Sequence, residues 1–504
     1  MKKNVLALSI SAALVSFGFA GGAQAATTAA SLELSPAGTG HMLLVPYYST
    51  QAGNATLINI TNTDTINGKA VKVRFRGASN SDDVFDFQVF LSPGDVWTAN
   101  VSKGADGRAT LTTADNSCTK PGKTVLNSTG FVTARLDQTL TGDALANQTR
   151  EGYVEIFNMA DISPTLNSSL YADIKHVSSV PPCANGKNDT AWTDLDTFIP
   201  KKPWDVTNPT TGLMANWIII NVNDAGAWSG QATAVVAIQS GTPVAAGSGN
   251  VVYWPQISTS VAAIASSYTA DPLMTQITST DYTAPAIAAS SYDLPDMSTP
   301  YVTGVATPSA QAGALSNSIS TTGIINEFLT VSAIHATTDW TLSMPTRRYS
   351  VAFDYVDGSR VFNPNLITYF TSANTVVVNR QICVNGMTAS TWDQEENQPA
   401  PGGVVISPSQ PVPGIVFCGE AGVMSINNGG STTPSGTLKA TVARSGLDNA
   451  YGAGWISIAT PAASSTPATP VGLPVLGAAF LRATAATGTY GVTWDHRNSR
   501  LSLQ

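Results

Sequence analysis

Closely spaced acids are the residues here with the widest chemical reach. Asp82, Asp83 and Asp86 fall in "SNSDDVFD", and Asp393, Glu395 and Glu396 in "TWDQEEN". Calcium takes about six to eight oxygen ligands, drawn from carboxylates and loop carbonyls. Both clusters are therefore candidate calcium sites, and a solvated acidic loop is the plainer reading of each. "NVNDAG" (221–226) opens like an EF-hand loop. Its twelfth position would be Ala232, so the bidentate Glu is missing.

Catalytic chemistry finds less to work with. His41, His176, His335 and His496 form no H-E-x-x-H or H-x-H pair, and there is no G-x-S-x-G elbow. A triad can be dispersed along a chain. A hydrolytic site would have to form around His335 in "SAIHATTDW" or His496 in "TWDHRNSR". "GSGN" (247–250) lies between strand signals and reads as a turn, not a phosphate loop. No catalytic or cofactor-binding constellation emerges, and the expectation is a protein that is not an enzyme. Ten Trp and fourteen Tyr could line a glycan groove, with "LVPYYST" (44–50) and "WIIINVNDAGAW" (217–228) the places to look. Most aromatics in a β-sandwich are core residues.

Cys118, Cys183, Cys383 and Cys418 have no C-x2-C spacing for a metal. An even count in an exported chain favours disulfides. Of the three possible connectivities, sequence proximity favours Cys118–Cys183 and Cys383–Cys418.

Export is read from the start of the chain. "MKK" is a basic n-region, an apolar h-region follows, and Ala23-Gln24-Ala25 is a small-x-small cleavage signal. Residues 1–25 are the expected signal peptide. Beyond them no apolar run reaches the ~18–20 residues that cross a bilayer as a helix. The formal charge is −8, and removing Lys2 and Lys3 makes it −10. Only 12% of residues are charged, half of the usual ~25%. A neutral, weakly acidic surface does not suit nucleic acid. It does permit extended protein–protein contact.

The elements that must position these residues are strands. "NATLINITNT" alternates apolar and polar residues, Asn67-Gly68 gives a hairpin signal, and "KAVKVRFRG" and "VFDFQVFLS" continue with period two. Val71, Val73, Phe75, Phe85, Phe87, Val89 and Leu91 share one face. Lys72, Arg74, Arg76, Asp86 and Gln88 share the other, which reads as a wet face with Arg76 near Asp86. Later strand signals with turn residues between them predict a mainly β chain of antiparallel, Ig-like β-sandwich domains with long irregular loops. "GALSNSISTTGIINEFL" (313–329) is the best helical stretch. The expected divisions are 26–115, an N-terminal β-sandwich region; 116–350, a central β-rich region with long loops; and 351–504, a C-terminal β-rich region.

The stretch from "GHMLLVPYYSTQAGNATLINITNTD" through "SPGDVWTANV" (40–101) resembles the N-terminal region of exported cell-surface proteins of the surface-layer type from Gram-negative bacteria. "REGYVEIFNMADI" (150–162), "TDWTLSMPTRRYSV" (338–351), "TWDQEE" (391–396) and "GTYGVTWDHRNSR" (488–500) are similar to that group as well. The resemblance implies a β-rich protein at the cell surface that coats or assembles outside the outer membrane. It implies homo-oligomeric contacts, divalent cations such as calcium, and lipopolysaccharide as a partner. It transfers no catalytic residue. The alternative expectations are a surface adhesin or glycan-binding module and, third, a secreted hydrolase.

Overall fold

The computed structural model describes residues 29–166, 168–185, 190–195, 206–240, 245–256, 295–305, 307–398, 414–428, 434–461, 472–485 and 488–499. The expected signal peptide lies outside them.

The first half supplies β1 (Ser31–Leu34), β2 (Met42–Ser49), β3 (Asn54–Asn62), β4 (Gly68–Gly77), β5 (Asp83–Leu91), β6 (Val96–Lys103), β7 (Ala109–Thr112), β8 (Cys118–Lys120), β9 (Glu151–Ile162), β10 (Leu213–Asn221), β11 (Gly226–Gln231) and β12 (Thr233–Ile238). They form two sheets, ordered β1-β12-β2-β9-β4-β5-β8 and β11-β10-β3-β6-β7. Alternation decides the inner faces. Ile58 and Ile60 of β3, Trp97 of β6 and Trp217 of β10 are buried, while the residues between them are not. Phe87 of the larger sheet meets Trp97 of the smaller at 5.3 Å between ring centroids. The mainly β, antiparallel sandwich expected from the sequence is present.

The second half supplies β13 (Ser320–Thr321), β14 (Gly323–Leu329), β15 (Thr337–Ser343), β16 (Val351–Phe353), β17 (Arg360–Phe362), β18 (Thr375–Val378), β19 (Gln381–Trp392), β20 (Ile415–Cys418), β21 (Ala421–Ile426), β22 (Arg444–Leu447), β23 (Ala453–Ala459), β24 (Leu473–Pro474), β25 (Ala478–Ala485), β26 (Gly488–Asp495) and β27 (Arg497–Ser499). One sheet runs β18-β19-β23-β14-β27 with β20 also on β19, and another runs β22-β21-β15-β25-β26. The latter is a wall shared by two hydrophobic cores. Val423 and Phe480 face the core of the first half, and their neighbours Met424 and Ala479 face a second core with Trp340 and Phe328. Trp217 and Phe480 lie 5.6 Å apart across the seam, and Trp228 Nε1 donates to Leu481 O at 2.8 Å.

The sheets do not stop at the expected divisions. β9 lies between β2 and β4, and β8 pairs with β5, so one sheet crosses residue 115. β15 precedes residue 350 and pairs with β21 and β25 beyond it. Local alternation marks where strands are but carries no information on which distant strand they join. The expected helix over 313–329 also shifts. A helix spans Pro308–Ile319, with Thr307 Oγ1 accepting from Ala310 N at 3.2 Å. It ends before β14, where the β-branched pair Ile324-Ile325 favours a strand.

Cys118–Cys183 ties β8 to the turn Pro182–Asn185, and Cys383–Cys418 ties β19 to β20. With sequence separations of 65 and 35 residues, each bridge stabilises by about 4 kcal/mol in the chain-entropy account. No described helix is long and apolar enough to cross a membrane.

Candidate functional site

The charged hairpin β4–β5 is buried along almost its whole length. Its apolar face is buried as expected, with Val71, Val73, Phe87 and Val89 fully enclosed. Its other face is a correction. Lys72, Arg74 and Arg76 are also fully buried. The chain at 251–256, the chain at 295–299 and the second half cover them. The register differs too. Arg74 stands opposite Asp86, and Arg76 opposite Asp83 across a bulge.

Each cation on this face has an anion. Lys72 Nζ donates to Asp86 Oδ1 at 2.6 Å and to Gln256 Oε1 at 2.8 Å. Arg74 pairs with Asp83 and donates to Pro295 O at 3.3 Å. Arg76 Nε lies 3.3 Å from Glu155 Oε1, and Asp296 Oδ2 lies 3.9 Å from Arg76 and 4.0 Å from Arg348. Arg347 Nε donates to Glu420 Oε2 at 2.9 Å. Burial pushes the Glu155 carboxyl up. Burial acts the same way on Asp296, but Arg348, Arg76 and Arg74 override it and hold it low.

The turn joining the strands, 77–83, is a plug and not a surface loop. Ala78 O accepts from Glu420 N at 2.8 Å and Ala421 N at 3.2 Å. Asn80 Oδ1 accepts from Ile382 N at 3.1 Å, and its Nδ2 donates to Arg380 O at 2.9 Å. Tyr355 donates to Asp82 Oδ2 at 2.5 Å, and Ser81 and Tyr153 share a 2.6 Å hydrogen bond. The Cys383–Cys418 bridge fastens the strand ends, Ile382 and Glu420, that grip the plug. Burial raises the Asp82 carboxyl to about 7, against the lowering effect of Tyr355 and Arg348.

The acids first read as calcium ligands therefore divide in two. Asp82, Asp83 and Asp86 sit in the junction and face Tyr355, Arg74 and Lys72. Asp393 closes its own loop. Its Oδ1 accepts from Glu395 N at 2.9 Å and Asn397 N at 2.8 Å, and Glu395 and Glu396 are exposed. Among the described residues, no group of three or more His, Cys, Asp or Glu is placed to hold a metal ion.

Two further carboxylates clasp the segment 435–443 onto the rest of the molecule. Asp339 accepts from Gly436, Thr437 and Leu438 N–H at 3.2, 2.9 and 2.7 Å, and from Ser425 Oγ at 2.6 Å. Glu151 Oε1 accepts from Thr441 N at 2.7 Å, Val442 N at 3.2 Å and Gln51 Nε2 at 2.7 Å. Sequence reading singled out neither residue. Asp339 is the lone acid of its strand, which was the available clue, whereas Glu151 opens a strand that also holds Glu155 and Asp161 and offered none.

The histidines are dispersed. His496 is buried against Trp340, between Asn326 and Thr341 O, and burial lowers it to about 4. His41 is also lowered to about 4, by burial and by Lys69. His335 is exposed at the end of a short turn. His176 has Ser92 Oγ at 3.5 Å and Asp95 Oδ2 at 3.6 Å, but both approach Nδ1. A Ser-His-Asp relay needs its two partners on opposite ring nitrogens.

The aromatic stretches marked for a glycan groove are core. Tyr47, Tyr48, Trp217 and Trp228 are buried. The accessible rings lie elsewhere: Trp392 and Trp455 stack at 3.8 Å and 6°, and Tyr490 and Trp494 stand on β26.

Among the described residues, the outer side of β10, β3 and β6 is an open face. Its cross-strand rows are Asn216–Asn59–Thr98 and Ile218–Leu57–Asn100. They line a shallow hollow of about 620 Å³, and none of its lining residues is charged. Comparison of the chain with family models, curated proteins and solved structures returned no match.

Proposed function

We propose that this chain is a structural protein of the cell exterior that self-associates into a layer or coat outside the outer membrane, and that it is not an enzyme. The open, uncharged face of β10, β3 and β6 carries the reading. Copies of a protein with formal charge −8 repel one another over most of their surface. A neutral face mixing amides, hydroxyls and aliphatic side chains lets them meet without that cost, and such mixtures are usual at non-obligate interfaces. The charge-locked junction supports the same role, because a lattice subunit must hold its halves at a fixed angle. Two disulfides suit an oxidising compartment, and the apolar start of the chain suits export. Negative-stain microscopy of cell envelopes and of purified protein tests the proposal. Ordered arrays are expected, and a strictly monomeric protein at high concentration with bare envelopes would sink it.

A second reading, a glycan-recognising adhesin, draws on the exposed rings. Trp392, Trp455 and Trp494 offer indole surface of the kind sugars stack on. Glycan-array binding that disappears in Trp455→Ala would favour it over the structural role.

A further inference from the structure

We propose that Lys69 and Asp161 become joined by an isopeptide bond, a covalent cross-link between β4 and β9. The two residues are direct cross-strand partners. Lys69 Nζ lies 2.9 Å from Asp161 Oδ1, and their side chains are 0% and 1% exposed. An amine and a carboxyl held in contact without water are the reactants of an amide condensation. Fixing them in near-attack geometry removes much of the entropic barrier. Excluding water also protects the product from hydrolysis.

The surroundings are arranged as that reaction requires. Asp161 Oδ2 accepts from Thr210 N at 3.1 Å and Thr210 Oγ1 at 2.5 Å. Those two donors are placed to hold the negative charge that develops on this oxygen when the carbonyl carbon is attacked. Asp161 Oδ1, the oxygen touching the amine, accepts from Asn158 Nδ2 at 2.7 Å. Asp64 Oδ2 stands 3.9 Å from Lys69 Nζ on the more open side, with 16% of its side chain exposed. Partial burial pushes Asp64 up, but hydrogen bonds from Asn67 and Ile66 outweigh it and hold the carboxyl low, so Asp64 is a weak base suited only to passing a proton on. Asn158 Oδ1 is buried with no hydrogen-bond partner among the described residues. That leaves an unfilled acceptor beside the pair, while the new amide would carry one N–H.

The step balances without a co-reactant. A buried ion pair is costly, and burial raises the Asp161 carboxyl. The reacting form, neutral amine and protonated acid, is reached by moving one proton across the hydrogen bond. The Nζ lone pair attacks Cγ and forms the C–N bond. One Nζ proton passes by way of Asp64 to the Oδ1 hydroxyl. The Cγ–Oδ1 bond breaks, water leaves, and Oδ2 remains as the amide carbonyl. Nothing is oxidised or reduced.

The test is the intact mass of the full exported chain, reduced and denatured. It is expected to be one water lighter than its sequence. Tandem mass spectrometry should find a branched peptide joining Lys69 to Asp161, with no tryptic cleavage after Lys69. Lys69→Arg keeps a cation beside Asp161 but cannot form the bond, so it should restore the full mass. Asp64→Asn should slow the loss of water after refolding while leaving both reacting groups in place. An unmodified mass with normal cleavage after Lys69 overturns the proposal. So does a water loss that survives Lys69→Arg, or a loss of ammonia in place of water, which would point to an amide and not to Asp161. None of these readouts depends on whether the protein assembles.

Discussion

Asp82 is an acid held where acids are disfavoured. Its folded value near 7 lies above the ordinary carboxylate value of about 3.9. The folded state therefore binds its proton more tightly than the unfolded state, and this group's contribution to stability falls as pH rises from about 4 to about 7. Asp82→Asn keeps an acceptor for Tyr355 and removes the titration. The variant should melt above the parent at pH 8, and the difference should shrink on acidification to pH 5. A constant offset in melting temperature across that range would count against burial as the cause. Asp339 is a structural acceptor, its carboxylate satisfying three backbone N–H groups. Asp339→Ala leaves them buried without acceptors and should cost at least about 3 kcal/mol in denaturant unfolding. A loss below about 1 kcal/mol would mean the segment 435–443 finds other partners.

At the scale of elements, period-two patterning was informative about faces and silent about what covers them. It placed Val71, Val73 and Phe87 inside, correctly. It also placed Lys72, Arg74 and Arg76 together on the opposite face, and that grouping is real. What no local pattern records is that 295–299 and 345–348 fold over that face. Three bases and one acid on one face fit a buried network completed by other elements as well as a wet surface. The disulfides were legible because each joins elements close in sequence. The aromatic stretches turned out to be core, the plainer reading, because Tyr47, Tyr48 and Trp217 look alike in sequence whether they line a groove or a core. A prediction at this scale concerns the grip on the plug. Replacing Cys383 and Cys418 with Ser should lower stability by about 2–4 kcal/mol and speed hydrogen exchange of the amides at 77–83. Replacing Cys118 and Cys183 should lower stability without that local effect. Equal exchange at 77–83 in the two variants would separate the bridge from the plug.

The molecule as a whole is two cores that share one sheet, closed by buried charges as well as by apolar contacts such as Trp217 with Phe480. The face of β10, β3 and β6 is a neutral area whose hollow has no charged lining residue. Ile218→Lys or Leu57→Glu adds a charge to that face without touching either core. Each variant should keep the parent melting temperature within about 2 °C, as surface changes do. Each should also abolish ordered arrays in the electron microscope. Arrays that persist in both variants would move the contact to another surface.

The hairpin plug has a consequence for biosynthesis. The chain emerges N-terminus first, and Asn80 finds Ile382 302 residues later. Until that stretch arrives, Arg74, Arg76, Asp82 and Asp83 belong to a half-made protein whose charged tip has no socket. The first half can collapse around its tryptophans before then, but it cannot finish. Synthesis of this chain is therefore a period of exposure, which ends only when the hairpin is buried.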